Sequence, residues 1–162
     1  MTNKILNALN DQLHHEASAF YAYLAKAAHF ESQGFKGFAK WFRAQAIEEQ
    51  GHMMKFYDFI HVRGGSIKFQ DLKASNGKWK SAKEVFKDSL KAEQNVTAQI
   101  NQLVNLAIAE KDHATHQFLL WFVNEQIEEE ATVVEILQKF DLIGDNNIAL
   151  IMLDKELGSR DN

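Results

Sequence analysis

Four carboxylates and one imidazole stand where helical apolar stripes call for hydrocarbon. Apolar residues recur at three- and four-residue intervals over four long stretches, which is the helical signal. Each stripe is interrupted near its middle. The first reads Leu9, Leu13, Glu16, Phe20, Leu24, and the second Phe42, Gln45, Glu49, His52, Phe56. The third reads Phe86, Leu90, Glu93, Thr97, Ile100, and the fourth Leu119, Phe122, Gln126, Glu129, Val133. A buried carboxylate is costly unless it is paired or holds a metal. Four facing one interior repel each other unless something positive sits between them. Of these side chains only His52 can carry a positive charge, so an internal salt-bridge network does not balance them.

The spacing turns the interruptions into a plan. Glu16 is followed by Glu49 after 33 residues and by His52 after 36; Glu93 is followed by Gln126 after 33 and by Glu129 after 36. Each half therefore supplies one Glu and then an i, i+3 pair on the returning helix. Residues at i and i+3 share a helix face, so both members of each pair point inward. Helix rise then brings all six to a similar level. Oxygen and imidazole donors of this kind suit iron or manganese rather than copper(I). A carboxylate from each of two helices with an i, i+3 pair from each of the other two is a dinuclear carboxylate arrangement. The halves are not equal. Glu16, Glu49 and His52 would hold one ion; Glu93 and Glu129, with Glu49 bridging, would hold the other. The second position lacks a histidine, which suits an ion that moves on after reacting.

The elements that must position these residues are long. The periodicity predicts helices over about Asn3–Ser32, Gly37–Arg63, Ser81–Lys111 and Asp112–Leu142, with a shorter fifth over Asn146–Leu157. Leu6, Leu9, Leu13, Phe20, Leu24 and Ala27 are expected on the core face of the first. Ser81-Ala82-Lys83-Glu84 reads as a capping box, Asp145 or Asn146 as a cap, and Gly34 as a left-handed terminator. The fifth stretch is apolar all round and must pack against something, another subunit included. Tight turns join the first pair of helices and the second pair. Roughly seventeen residues, Gly64 to Lys80, separate the pairs, long enough to run the length of a helix. The expectation is all-α: one domain over residues 1–162, a four-helix bundle with a long crossover between helices two and three and a short fifth helix.

Composition agrees. The chain has 162 residues, no proline and no cysteine. Proline is excluded from helix interiors, and its absence fits long unbroken helices. Without cysteine there is no disulfide framework, thiolate metal site or thiol nucleophile. Lys and Arg number 18 against 22 Asp and Glu, so the net charge is 18 − 22 = −4. This argues against nucleic-acid binding, which needs a basic surface. No apolar run is long enough for a membrane span, and the polar start, with Asn10, Asp11, His14 and His15, does not read as a signal peptide. The expected compartment is the cytoplasm.

At Glu48-Glu49-Gln50-Gly51-His52 and Asn124-Glu125-Gln126-Ile127-Glu128-Glu129-Glu130 the chain resembles the ferritins, most closely the prokaryotic haem-free members. The resemblance covers essentially the whole chain. It implies a ferroxidase centre of Glu16, Glu49, His52, Glu93 and Glu129, with Gln126 beside them. It implies a third iron position at Glu48, Glu125 and Glu128, sharing Glu129, and a redox-active tyrosine at Tyr23. It further implies a homo-oligomeric cage of 24 subunits that oxidises Fe(II) with oxygen or hydrogen peroxide and stores ferric mineral. Haem-binding relatives carry a methionine in helix two just before the ligand histidine and a histidine in helix four. Here Gly51 and Glu129 stand there, and Met53 and Met54 are out of register, so no haem is expected. The acidic pore lining of animal ferritins has no counterpart around His113, His116 and Leu119.

The competing reading is a di-iron or di-manganese oxidase or peroxidase that keeps its metals. The missing second histidine speaks against it. A purely structural bundle conflicts with interior carboxylates. A DNA-coating relative conflicts with a complete site inside one chain and with the non-basic end Gly158-Ser159-Arg160-Asp161-Asn162.

Overall fold

The structure, a computed structural model, describes residues 1–73 and 77–159. The last three residues of the tail read for charge above lie outside it. Among the described residues all regular structure is helical: α1 (Asn3–Gln33), α2 (Lys36–Val62), α3 (Ala82–Ala109), α4 (His113–Ile143) and α5 (Asn147–Gly158). The two longest, of 31 residues each, span about 46 Å at 1.5 Å per residue.

Side chains set the ends. Thr2 caps α1 through Ile5 N, and Gly34 closes it at φ 83°. Ser81 Oγ accepts from Glu84 N. The Glu84 carboxylate reaches Lys80 N at 2.7 Å rather than the cap's own amide, so the capping box is displaced by one residue. Asp112 caps α4, and Asn146, not Asp145, caps α5. Phe35, at the start of α2, has no side-chain cap. Asp154 of α5 supplies one, accepting from Phe38 N at 2.7 Å.

Contacts along the helices give the topology. α1 packs on α2, α3 on α4, and α1 on α3. α1 and α3 run antiparallel: Lys26 meets Ser89, while Thr2 meets Glu110. α2 and α4 also run antiparallel: Gln45 meets Glu129, while Arg63 meets Asp112. The crossover starts beside Asn10, which bonds Ser66 O and Lys68 N. It reaches the far end where Trp79 packs on His29 with ring centroids 5.0 Å apart. It therefore runs the length of the bundle, as its size required.

The core is in two slabs. One is aromatic, around Phe30, Phe38, Phe42 and Phe86, with Phe42 and Phe86 centroids at 4.9 Å. The other holds Ile5, Leu9, Leu13, Phe56, Ile100, Leu119 and Phe122. The interrupted stripes fall between them. Leu24, expected on the core face of α1, is 42% exposed. At 100° per residue it lies about 80° from Glu16, whereas Tyr23 lies within about 20°, and Tyr23 and Lys26 are buried instead.

α5 half-fulfils its expectation. Leu153 and Leu157 are buried, and the helix packs on α2. Ile148, Ile151 and Met152 remain 63–74% exposed. The docking is close: a Cβ on Gly37 would stand 1.7 Å from Asp154 O, which is backbone. Gly37→Ala should therefore push α5 away, costing about 1–3 kcal/mol and raising proteolysis within residues 147–158.

Asp112 gives a second test. It caps α4 through Thr115 N at 3.0 Å and pairs with both Arg63 amino nitrogens at 3.1 Å. Despite partial burial, these bonds lower its carboxyl from 3.8 to about 2. A depressed carboxyl stabilises the fold above its unfolded value, and that stability is lost as pH falls through the folded one. Asp112→Ala should cost about 1–2 kcal/mol at neutral pH. Its stability gap to wild type should shrink between pH 4 and pH 2 in denaturant titrations.

Candidate metal centre

All six expected residues are buried at one level of the bundle: Glu16, Glu49, His52, Glu93, Gln126 and Glu129 are 1–7% exposed. Their helices have no room to place them elsewhere. Each lies on a helix face whose buried apolar residues fill the slabs above and below.

Glu16, Glu49 and His52 present ligand atoms within 4.8 Å of one another, the spacing of a metal site. His52 Nδ1 is 3.3 Å from Glu49 Oε2 and 3.9 Å from Glu16 Oε2. Glu16 Oε2 is buried with no hydrogen-bond partner among the described residues. An orphan acceptor pointed at a histidine and a second carboxylate fits a cation.

A second group joins His52, Glu125 and Glu129 within the same 4.8 Å. His52 Nε2 lies 3.8 Å from Glu125 Oε1. Thus Glu125, expected at a third position only, comes up against the imidazole of the dinuclear set. Glu48 is half-buried and its charge acts on Glu49 and Glu129. Glu128 is exposed on α4.

Glu93 is held differently. Tyr23 Oη donates a short hydrogen bond to Glu93 Oε1. Gln126 Nε2 donates to Glu93 Oε2 and to its carbonyl, both at 3.2 Å. Gln126 in this arrangement braces Glu93 through its nitrogen, the end that cannot ligate a metal.

Supporting residues complete the shell. Gln12 Nε2 donates to Glu16 Oε1 at 2.8 Å, and Gln45 Nε2 to Glu129 Oε2 at 2.9 Å. Such partners orient ligands and tune a site. Gln45 stood on the α2 stripe without an assigned role. Gln12 was missed, although its spacing of i−4 from Glu16 places it on the same face. Lys26 was also missed, at i+3 from Tyr23. It is 2% exposed, and its Nζ meets Ser89 Oγ at 2.9 Å and Asp88 Oδ2 at 3.2 Å.

Electrostatics mark the same layer. Burial, then the Glu49 charge, pushes the Glu16 carboxyl well above the usual carboxylate range. Burial, then Glu93, does the same to Glu49. Burial also raises Glu93. Glu129 is pushed up to about 7 by burial and by the Glu93 and Glu48 charges. Without a cation these groups disfavour their own ionisation; a divalent ion between them reverses that preference and displaces protons.

Comparison with known proteins follows this geometry. Residues 6–143 match the ferritin-like domain of the ferritin family model. A bacterial non-heme ferritin of Staphylococcus aureus is 42% identical over 160 residues, covering 99% of this chain and 96% of that one. One from Staphylococcus haemolyticus is 41% identical with the same coverage. An open pore ferritin from the archaeon Archaeoglobus fulgidus superimposes with a TM-score of 0.98 at 43% identity, covering 99% of both chains.

The carboxylate layer yields a test independent of turnover. Replacing Glu16 and Glu49 by Gln removes two buried acids whose ionisation burial disfavours. The metal-free double variant should melt higher than metal-free wild type, by roughly 1 kcal/mol of stability. It should lose the stabilisation that added Mn(II) gives wild type, read by calorimetry. Shared fold, full-length similarity and the buried Glu/His centre lead to one assignment: this chain belongs to the ferritin family.

Proposed function

We propose that the chain oxidises Fe(II) at an intrasubunit dinuclear centre and stores the ferric product as mineral inside a homo-oligomeric cage, of 24 subunits by analogy with the family. The observation that carries this reading is the buried, uncompensated carboxylate layer with its single histidine. Glu16, Glu49 and His52 would take one Fe(II). Glu93 and Glu129 would take the other, with Glu49 bridging and Gln126 bracing Glu93. Carboxylates favour the higher charge of Fe(III), so the layer lowers the free energy of the oxidised pair.

Electrons balance with either oxidant. Each Fe(II) gives up one electron. The pair, with two protons, reduces O2 to H2O2 or H2O2 to two waters. Hydrolysis of the ferric product then releases protons. Glu48, Glu125 and Glu128, with Glu129 shared, form an acidic path from the centre to the α4 surface, suited to a third iron position. The approach of Glu125 to His52 supports that continuity. Tyr23, bonded to Glu93, is placed to supply a further electron.

Two structural features favour storage over an enzyme that keeps its metals. The Glu93 side has no histidine, and the apolar outer face of α5 suits burial between subunits. No helix among the described residues is long and apolar enough to cross a membrane. The working compartment proposed is the cytoplasm.

Stopped-flow oxidation of Fe(II) tests the site. Loss of supporting residues around a metal costs about 10–100-fold, so Glu49→Ala or His52→Ala should slow the first turnover by more than about tenfold. Wild-type rates in both variants would refute the assignment. Size-exclusion with iron analysis before and after aerobic loading separates storage from a metal-retaining enzyme. A large shell whose iron content grows far beyond two per subunit supports storage; a dimer holding two does not.

A further inference from the structure

The Glu93 half of the carboxylate layer has an unexpected neighbour, a lysine sealed in the bundle. Lys26 sits on α1 one turn beyond Tyr23, and its side chain is 3% exposed. Its Nζ lies 2.9 Å from Ser89 Oγ and 5.1 Å from the centre of the Tyr23 ring. That ring's hydroxyl is bonded to Glu93. Asp88 pairs with Lys26 at 3.2 Å, but the Asp88 side chain is 52% exposed. Water screens the carboxylate and not the ammonium, so the positive field runs inward toward Glu93. Burial lowers Lys26 from the usual lysine range, while Asp88 and then Glu93 favour its charged form.

We propose that Lys26 is a positioning and affinity-setting residue for the Glu93 half of the dinuclear centre, holding that position weak for cations so that the ion there moves on. This rests on the dinuclear reading above. The Lys26 ammonium repels a divalent or trivalent ion bound at Glu93 and Glu129, and it does so more than at Glu16, Glu49 and His52. The site thereby holds its second ion loosely. The histidine-free ligand set and the buried cation act in the same direction, on the same half.

A merely structural Lys26, tying α1 to α3, makes the opposite prediction to this one. Its removal would loosen the site and weaken binding. The test is calorimetric titration of metal-free protein with Zn(II), which has no redox chemistry here. Wild type should bind two Zn(II) per subunit in two steps. Lys26→Met, of similar length without the charge, should tighten the weaker step by about tenfold or more and leave the tighter step within about twofold. Lys26→Arg, which keeps the charge, should restore wild-type binding. Asp88→Asn removes the partly compensating carboxylate at an accessible position and should weaken the second step. It carries the test alone if Lys26→Met does not fold. A second step that is unchanged or weaker in Lys26→Met, or unchanged in Asp88→Asn, overturns the inference while the dinuclear reading stands. A single Zn(II) step in wild type overturns both.

Discussion

The burial of four carboxylates at one level of a helical bundle governs this molecule. Glu16, Glu49, Glu93 and Glu129 are each at most 7% exposed, and burial raises every one. Such a layer persists only if the rest of the fold holds it there. Two hydrophobic slabs do so from above and below. The helices must be continuous, because ligands 33 and 36 residues apart meet only if no turn between them slips. The absence of proline and the caps at Thr2, Ser81, Asp112 and Asn146 serve that continuity. Under the proposed function, what destabilises the metal-free protein is what binds iron and favours its ferric state.

The two halves of the layer differ in kind. On the α1–α2 side a histidine and an orphaned Glu16 oxygen converge, with Gln12 steadying the other Glu16 oxygen. On the α3–α4 side Glu93 is tied by Tyr23 and Gln126 and sits in the field of a buried lysine. Under the proposed function the first half holds an ion and the second passes one on. Glu125, drawn up to His52, and half-buried Glu48 extend negative potential outward from the layer.

The buried layer of Glu16, Glu49, His52, Glu93, Gln126 and Glu129 was legible in the sequence because it depends on local geometry alone. Helix period fixes which residues share a face, and the repeated 33 and 36 offsets fix their level. The crossover was legible from its length for the same reason. What escaped was set by tertiary contact. Leu24 looked apolar enough for the core, but the true stripe turns past it to Tyr23. The docking of α5, through Gly37 and the Asp154 cap on α2, joins residues more than a hundred apart. Lys26 reads as an ordinary surface lysine until α3 closes over it. Glu125 was assigned by resemblance to a third position next to the centre, and its approach to His52 is added by the packing of α2 and α4 side chains.

The most direct measurement is the location of metal in crystals of the metal-free protein exposed anaerobically to Fe(II), using anomalous scattering at the iron edge. The account predicts two peaks per subunit inside the bundle, one among Glu16, Glu49 and His52 and one between Glu93 and Glu129, with the second less occupied at low Fe(II). Iron found only on the outer surface, or a single interior peak at saturating Fe(II), would contradict it.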